Sequence, residues 1–180
     1  MSTFSCLFVG RFQPFHRGHL LVVKGMTKVA GKVVIAIGSS DSPKTAENPF
    51  TAAERREMIQ RALQDEDIIP NFDVTIVEVP DMADDAEWTK KCLEMSEVPP
   101  SGVIPPDGGK IHQAWTGNEA TKKCFEDAGI EVKTIKEVPG ISATEIRARL
   151  KSGGDWRSLV PSEVASYLSE IEAPSRIKSL

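Results

Sequence analysis

Four short apolar runs along the chain predict β-strands. They span residues 6–9, 32–37, 74–79 and 130–135. The last three are rich in β-branched residues, and Gly10, Gly38 and Pro80 end the first three, as is typical of strands. The first two runs are apolar without polar alternation, which indicates strands that are buried on both faces.

Between these runs, apolar residues recur at the spacing of helices. Two helices are expected to begin at capping boxes, in which a hydroxyl and a glutamate each bind the other's backbone amide: Thr51 with Glu54, and Ser142 with Glu145. The predicted helices span residues 18–30, 51–65, 86–95, 119–128, 142–152 and 161–172. Glycines follow the fourth and fifth of them, as is common at helix ends.

The alternation of strands and helices predicts the fold class: an α/β protein with a doubly wound parallel sheet, similar to the Rossmann fold. At 180 residues the chain has the length of about one domain, so we expect residues 1–180 to form a single domain. Residues 98–110, rich in proline and glycine, are expected to be a surface loop, and residues 155–180 a C-terminal helical part. In such sheets, ligands bind beyond the carboxyl ends of the strands, where the strand order reverses.

The composition and net charge limit the kinds of binding partner that we expect. The chain is 40% apolar and 27% charged, as soluble globular proteins are, and its net charge is -4. We therefore do not expect a basic nucleic-acid-binding module, and no apolar run approaches the ~20 residues of a membrane span. Cys6, Cys92 and Cys124 are widely spaced and form no CxxC pair, which favours free thiols, a reducing compartment and a cytoplasmic location.

The most distinctive segment, GRFQPFHRGH at residues 10–19, directly follows the first predicted strand. The chain contains neither GxGxxG nor GxxxxGK[ST], the phosphate-binding loops of dinucleotide-binding dehydrogenases and P-loop kinases. Instead, His16 and His19 flank Gly18 at the start of a helix, whose free amides and partial positive charge favour phosphate. A single histidine would be better explained as a turn cap or a space-filling side chain, but two imidazoles beside Arg11 predict a cationic pocket.

A second segment, ISATEIR at residues 141–147, has the residue types needed to hold phosphate. The hydroxyls of Ser142 and Thr144 can bind phosphate oxygens, and Arg147 follows one turn after Thr144 on nearly the same face. Alone, this segment also suits an ordinary capped surface helix. Together, the two segments resemble the HxGH and ISxTxxR signatures of the nucleotidyltransferase superfamily, which joins a nucleoside triphosphate to a phosphorylated partner.

Across nearly its whole length the chain resembles archaeal-type nicotinamide mononucleotide (NMN) adenylyltransferases. The motifs that carry this resemblance are GRFQPFHRGH, AIGSS at 36–40, ENPFTAAER at 47–55, TGN at 116–118, ISATEIR and GDWRSLVP at 154–161. The resemblance implies that ATP is bound by Gly10, Arg11, Phe12, His16, Gly18, His19, Arg55, Gly117, Asn118, Ile141, Ser142, Thr144 and Arg147. Within that set it implies catalytic roles for Arg11, His16, His19 and Arg147. It implies that NMN is bound by Ser39, Ser40, Asp81 and Trp88, with the tryptophan stacked on the nicotinamide ring.

The resemblance also implies an activity. AMP would be transferred from ATP to NMN by direct in-line attack, giving NAD and pyrophosphate, a step of NAD biosynthesis. The cofactor would be Mg²⁺ or a similar divalent cation, held mainly by the ATP phosphates and not by a metal site in the protein. The expected partners are the substrates ATP and NMN, without nucleic acid or membrane, and the family suggests a homo-oligomer, commonly a hexamer.

The chain departs from the family pattern in four places. Residues 98–110 resemble an insertion before TGN, and position 116 is Thr where the family has Ser. Residues 137–140 are EVPG where the family carries Arg and Tyr, so no substrate contact is carried over to that segment. Asp85 stands where many relatives carry Asn.

Two other functions are compatible with these motifs. The same signatures occur in nucleotidyltransferases that act on phosphopantetheine, flavin mononucleotide or an alcohol phosphate; Asp81, Trp88 and ENPFTAAER favour nicotinamide. The other alternative is a catalytically silent regulator that only binds nucleotides. Such a protein need not retain the four implied catalytic side chains together, and all of them are present: Arg11, His16, His19 and Arg147.

Overall fold

A single parallel β-sheet forms the centre of the molecule. The computed structural model describes residues 4–42, 44–97 and 108–180. The strands are β1 (Ser5–Gly10), β2 (Lys32–Ile37), β3 (Asp73–Glu78), β4 (Gln113–Thr116) and β5 (Glu131–Thr134). Their order across the sheet is β3-β2-β1-β4-β5, and every neighbouring pair is parallel. The predicted α/β class with a doubly wound parallel sheet is confirmed.

The strand order reverses beside β1. From β1 the chain moves outward to β2, with Ser5 opposite Lys32 and Gly10 opposite Ile37, and then to β3. It then returns to the other side of β1, where Phe8 lies opposite Trp115 of β4. The carboxyl ends of β1 and β4 therefore flank the switch point at which ligands bind in folds of this kind.

Seven helices lie among the described residues. They are α1 (Arg17–Met26), α2 (Ala52–Asp65), α3 (Asp85–Glu97), α4 (Glu119–Asp127), α5 (Ala143–Ser152), α6 (Ser162–Glu170) and α7 (Ala173–Lys178). Thr51 and Ser142 are both helix N-caps, as predicted, and a return bond from Glu54 completes the capping box at Thr51. The predicted box at Ser142 is not completed, because the Glu145 carboxylate pairs with Arg149 at 2.6 Å. No helix in the described ranges has the length and apolarity needed to cross a membrane.

Several elements differ from the prediction. The first helix ends at Met26 and not at residue 30, because the next turn tightens: the amides of Lys28 and Val29 bond three residues back, to the carbonyls of Gly25 at 3.3 Å and Met26 at 3.0 Å. The predicted helix at 161–172 is α6, which ends at Glu170; α7, which follows Glu172 with its left-handed φ of 53°, was not predicted. Strand β4 was not predicted either. The predicted loop at 98–110 falls mostly on residues 98–107, which lie outside the described residues.

The sheet is buried on both faces, which explains the continuous apolar runs. One core contains Phe8, Met26, Ile35, Met58 and Leu168, and packs β1 and β2 against helices α1, α2, α5, α6 and α7. The other contains Leu7, Val9, Val34, Cys92 and Phe125, beneath α3 and α4. Each successive side chain of β1 thus enters one core or the other, leaving only the strand's carboxyl end open.

Candidate active site

The turn after β1 is shaped by a glycine and a glutamine. A Cβ at Gly10 would lie 3.0 Å from the ring of Phe12, a residue whose own φ of 52° is left-handed. Gln13 is buried, and its side chain donates from Nε2 to the Phe50 carbonyl at 2.8 Å and accepts from the Phe50 amide at 3.0 Å. The turn is therefore anchored to the segment that leads into α2.

His16 and His19 cap helix α1 reciprocally. Nδ1 of His16 accepts from the His19 amide at 3.3 Å, and Nδ1 of His19 accepts from the His16 amide at 3.2 Å. Their rings stack with centroids 3.5 Å apart and an angle of 18° between the planes. Because each Nδ1 accepts a hydrogen bond, the proton of each neutral ring is on Nε2. Both rings thus have an N–H donor left for a ligand.

Burial makes both histidines neutral. Desolvation lowers the pKa of His16 to about 4. The pKa of His19 is also well below its ordinary value, because of burial and then the neighbouring His16. Three phenyl rings lie around His19, with centroids 5.9 Å (Phe8), 4.9 Å (Phe12) and 5.4 Å (Phe15) from its own. The prediction that two imidazoles add positive charge is wrong: they supply neutral donors, and arginines supply the charge.

The glycine of HxGH makes room for the first histidine. A Cβ at Gly18 would lie 3.0 Å from Cε1 and 3.1 Å from Nδ1 of His16. Contacts that short are tighter than nine in ten real ones, so a side chain there would displace the imidazole. The glycine of HxGH therefore leaves the His16 ring free to stack on His19 and to cap helix α1.

Helix α5 presents its N-terminus and an arginine to the same turn. Ser142 caps the helix by accepting from the Glu145 amide at 3.1 Å. Arg147 donates to the carbonyl of Gln13 at 2.9 Å and to the hydroxyl of Thr144 at 3.3 Å. Burial lowers the pKa of Arg147, and the charge of Arg11 lowers it further. Two guanidinium groups close enough to repel each other create a strong preference for an anion between them.

Most of the residues implied to bind ATP line one cavity of about 340 Å³. It is lined by Gly10, Arg11, Phe12, His16, Gly18, His19, Gly117, Asn118, Ile141, Ser142, Thr144 and Arg147. Its wall also includes Phe8, Val22, Ile135 and Val138, which the motifs did not indicate. We call this space the triphosphate cavity.

A second cavity of about 380 Å³ adjoins the first. Its lining includes three of the four residues implied to bind NMN, namely Ser39, Asp81 and Trp88, together with Met82 and Asp85. Five lining residues are common to both cavities: Val9, Gly10, Arg11, Thr116 and Asn118. The two cavities therefore meet at the carboxyl ends of β1 and β4. We call the second space the acceptor cavity.

Hydroxyl groups hold the carboxylate of Asp81 in the acceptor cavity. It accepts from the hydroxyls of Ser39 and Ser42, each at 2.9 Å. The half-buried ring of Trp88 packs edge-on against Phe125, with centroids 6.0 Å apart, and lines the cavity as well. A carboxylate and an indole at one end of the cavity suit a flat cationic group.

Ser40 is not part of either cavity lining. Its amide donates to the carbonyl of Val79 at 3.1 Å, which continues the pairing of the loop after β2 with the end of β3. Ser39 lines the acceptor cavity, and the role of the neighbouring Ser40 in NMN binding stays a prediction.

Arg55 is also placed differently from the prediction. Its side chain is buried beneath the two loops that follow β1 and β2. Nε donates to the carbonyl of Thr51 at 3.2 Å, Nη1 to those of Arg11 at 2.8 Å and Gly38 at 2.7 Å, and Nη2 to that of Ser39 at 2.9 Å. Arg55 lines neither cavity. Its side chain thus binds the backbone of two site loops.

We expect Arg55→Lys to lower the free energy of unfolding by about 2 kcal/mol, because one ammonium cannot serve all these carbonyls and each buried group left unpaired costs about 1–3 kcal/mol. Chemical denaturation measures the loss. Arg56→Lys is the matched control, since Arg56 pairs with Glu78 at the surface at 2.6 Å. A fully stable Arg55→Lys variant that binds ATP poorly would return Arg55 to the phosphate site.

Comparison with known proteins identifies the class first. The model of the cytidylyltransferase-like family matches residues 7–149, which include both the HxGH and the ISATEIR segments. A nicotinamide-nucleotide adenylyltransferase of Methanolobus tindarius is 35% identical over 175 residues, covering 96% of this chain and 92% of the relative. One of Thermococcus kodakarensis is 36% identical over 176 residues, covering 97% and 87%. The chain belongs to the nicotinamide-nucleotide adenylyltransferase family.

Solved structures share the fold. A bifunctional NMN adenylyltransferase/ADP ribose pyrophosphatase from Francisella tularensis, complexed with AMP and Mn ion, superimposes with a TM-score of 0.73 at 21% identity. The match covers 99% of this chain and 52% of that one, so the present chain spans about half of the bifunctional protein. NadR protein in complex with NAD and AMP-PNP matches with a TM-score of 0.65 at 16% identity, covering 93% of this chain and 47% of that one.

Proposed function

We propose that this protein transfers AMP from ATP to NMN, giving NAD and pyrophosphate. The observation that carries the proposal is the pair of adjoining cavities. One is lined by two arginines, two imidazole donors and a helix N-terminus, and the other by carboxylates and an indole. They meet at Gly10 and Arg11, where a phosphate of one ligand can reach a phosphate of the other.

The triphosphate cavity provides donors for each part of ATP. The Nε2–H groups of His16 and His19 donate to oxygens of the α-phosphate, where charge develops during transfer. Arg147 and Arg11 neutralise the β- and γ-phosphates, and the first amides of α5 add to the positive potential. This assignment is supported by the depressed pKa of Arg147, because an arginine held beside another arginine gains most from a bound anion.

The adenosine end of ATP fits the apolar side of the same cavity. Ile141, Ile135 and Val138 form a wall that suits a purine ring. Gly117 lies on the same wall, in ordinary contact range of the Ile135 carbonyl. Asn118 caps α4 by accepting from the Thr121 amide at 2.9 Å, which leaves its amide nitrogen as a donor for the nucleoside.

NMN is assigned to the acceptor cavity. The ring of Trp88 stacks on the nicotinamide, whose pyridinium charge is attracted to the indole face and to the carboxylate of Asp81. Ser39, whose hydroxyl donates to Asp81 at 2.9 Å, and Arg11 line the same cavity, and we assign the NMN phosphate to them.

The transfer itself requires no nucleophilic side chain. An oxygen of the NMN phosphate attacks the α-phosphorus of ATP, and the bond from that phosphorus to the bridging oxygen of the β-phosphate breaks. Pyrophosphate leaves with the electron pair of the broken bond. The protein accelerates the step by positioning both phosphates and by stabilising the charge that builds up on them.

We assign Mg²⁺ to the ATP phosphates. In the described ranges there is no group of three or more His, Cys, Asp or Glu side chains placed to hold a metal ion. The triphosphate cavity presents guanidinium groups and N–H donors, which bind phosphate oxygens and repel cations. Bound in this way, the metal would supply positive charge to the triphosphate beside Arg11 and Arg147.

We also propose that the enzyme acts in the cytoplasm as a homo-oligomer, with a hexamer as the specific expectation from the family resemblance. Three free cysteines, two of them buried, suit a reducing compartment. Sedimentation equilibrium of the purified chain measures its assembly state directly.

Trp88→Ala is expected to raise the KM for NMN about tenfold and to leave the KM for ATP nearly unchanged. The lost stacking is worth about 1–2 kcal/mol when the site is desolvated, and Trp88 does not line the triphosphate cavity. Steady-state kinetics with each substrate varied in turn gives both constants. Trp88→Phe, which keeps an aromatic face, should lose less; equal losses for NMN and ATP would contradict the assignment.

A panel of acceptors tests the proposal against its alternatives. Pyrophosphate release from ATP is measured with NMN, phosphopantetheine, flavin mononucleotide and an alcohol phosphate in turn. We expect release with NMN and little with the others, since none of them carries a pyridinium for Trp88 and Asp81. Release with another acceptor would reassign the substrate, and ATP binding without release would indicate a regulator.

A further inference from the structure

The end of the acceptor cavity that holds the base is electrically negative. Asp81 and Asp85 both line it, and both side chains belong to exposed residues. Arg11 is the cation among the described lining residues of this cavity, and it lies on the border with the triphosphate cavity. A ligand group placed beside Trp88 therefore shares its cavity with two carboxylates and one arginine, and that arginine also lines the triphosphate cavity.

Acidic side chains offset the partial positive charge at the N-terminus of helix α3, which begins at this end of the cavity. A free helix N-terminus attracts an anion, and α3 begins at Asp85. The amide of Glu87 is already bound by the carboxylate of Asp84 at 2.9 Å. Asp85 and Glu87 add two negative charges to the first turn, where they oppose the partial charge of about one half that a helix provides. An anion gains little from this N-terminus.

These negative charges affect which substituent on the pyridine ring the cavity binds more tightly. NMN carries a neutral carboxamide there, whereas nicotinate mononucleotide carries a carboxylate that is ionised at neutral pH. The carboxamide can donate to a carboxylate of the cavity, but the nicotinate group cannot, and it is repelled by like charge. The two acceptors are otherwise alike in shape, so electrostatics distinguishes them.

We propose that Asp85 is a specificity-determining residue that makes this enzyme favour NMN over nicotinate mononucleotide. The inference rests on the proposed function, because it places the pyridine ring beside Trp88. Asp81 contributes to the same field, but its carboxylate is engaged by the hydroxyls of Ser39 and Ser42. Within the described residues, the hydrogen bonds to Asp85 involve its backbone: its carbonyl accepts from the Thr89 hydroxyl at 2.7 Å. The Asp85 carboxylate is thus available to the ligand.

The test compares kcat/KM for the two acceptors in the native enzyme and in Asp85→Asn. We expect the native enzyme to prefer NMN, and the substitution to lower the preference about tenfold, chiefly by raising kcat/KM for nicotinate mononucleotide. Asp84→Asn is the matched control: Asp84 does not line the acceptor cavity, and an asparagine oxygen can still cap Glu87. The control should keep the native preference.

Ionic strength gives a second measurement. Because the discrimination is electrostatic and the site is partly open to solvent, the native preference for NMN should shrink between 50 mM and 500 mM salt, and that of Asp85→Asn should change less. An unchanged preference in Asp85→Asn, with both acceptors still converted, would overturn the role of Asp85 and leave the proposed function intact. Conversion of neither acceptor by the native enzyme would overturn both.

Discussion

His19→Ala is expected to lower kcat for NAD formation about 100- to 1000-fold. The substitution removes the Nε2–H donor that we propose binds the α-phosphate, and loss of one such donor costs about 3–4 kcal/mol of transition-state stabilisation. The ring is neutral because burial and His16 lower its pKa, so it acts by donating a hydrogen bond and not by carrying charge. The KM for ATP should change much less than kcat.

Two further substitutions of His19 distinguish its proposed hydrogen bond to the α-phosphate from its role as a helix cap. His19→Asn can place an oxygen near the position of Nδ1 and accept from the His16 amide, but it has no group at the position of Nε2. His19→Gln can place an N–H near Nε2. We expect the asparagine variant to fold and to be nearly as slow as alanine, and the glutamine variant to recover part of kcat. If the asparagine variant were fully active, His19 would serve only as a cap.

Arg147→Ala should lower kcat about 100-fold and also raise the KM for ATP, because in the proposed mechanism the guanidinium binds the triphosphate before and during departure of pyrophosphate. Its present partners, the Gln13 carbonyl and the Thr144 hydroxyl, hold it at the edge of the cavity. Arg147→Lys keeps the charge but loses the planar fork, and should recover only part of the activity.

Arg149→Ala is the control for Arg147. Arg149 lies two residues later on α5 and pairs with Glu145 at 2.6 Å and with the Asp155 carbonyl at 2.8 Å, away from the triphosphate cavity. Its loss tests what an arginine contributes to this helix without touching the substrate. We expect near-native kinetics for Arg149→Ala. Equal losses in the two variants would indicate that α5 itself, and not the Arg147 guanidinium, was disturbed.

The central strands were predictable because their signal is local. In β1 and β2, residues in unbroken succession are buried, so an apolar run identifies them. Strand β4 has only Ala114 and Trp115 as apolar residues, each in a different core, and it is held by pairing with β1. A strand this short depends on contacts with distant residues, which periodicity does not reveal.

The polar residues of the motifs could be identified from the sequence, but the groups that they contact could not. A motif shows that His16, His19 and Arg147 occur at the right spacing, and the structure brings them to one cavity. It does not show whether an arginine faces a ligand or the backbone: Arg55 meets carbonyl groups of two loops that lie far from it in sequence. Nor does it show that phenyl rings surround the half-buried His19, or that burial and His16 lower the pKa of its imidazole.

The most direct test follows the phosphorus atoms of ATP. ATP labelled at the α-phosphate is incubated with the purified protein, Mg²⁺ and NMN, and the products are separated. The proposal predicts that the label appears in NAD, with one unlabelled pyrophosphate for each NAD, and that no pyrophosphate forms without NMN. Label recovered in ADP, or pyrophosphate released equally without an acceptor, would contradict direct transfer of AMP between the two cavities.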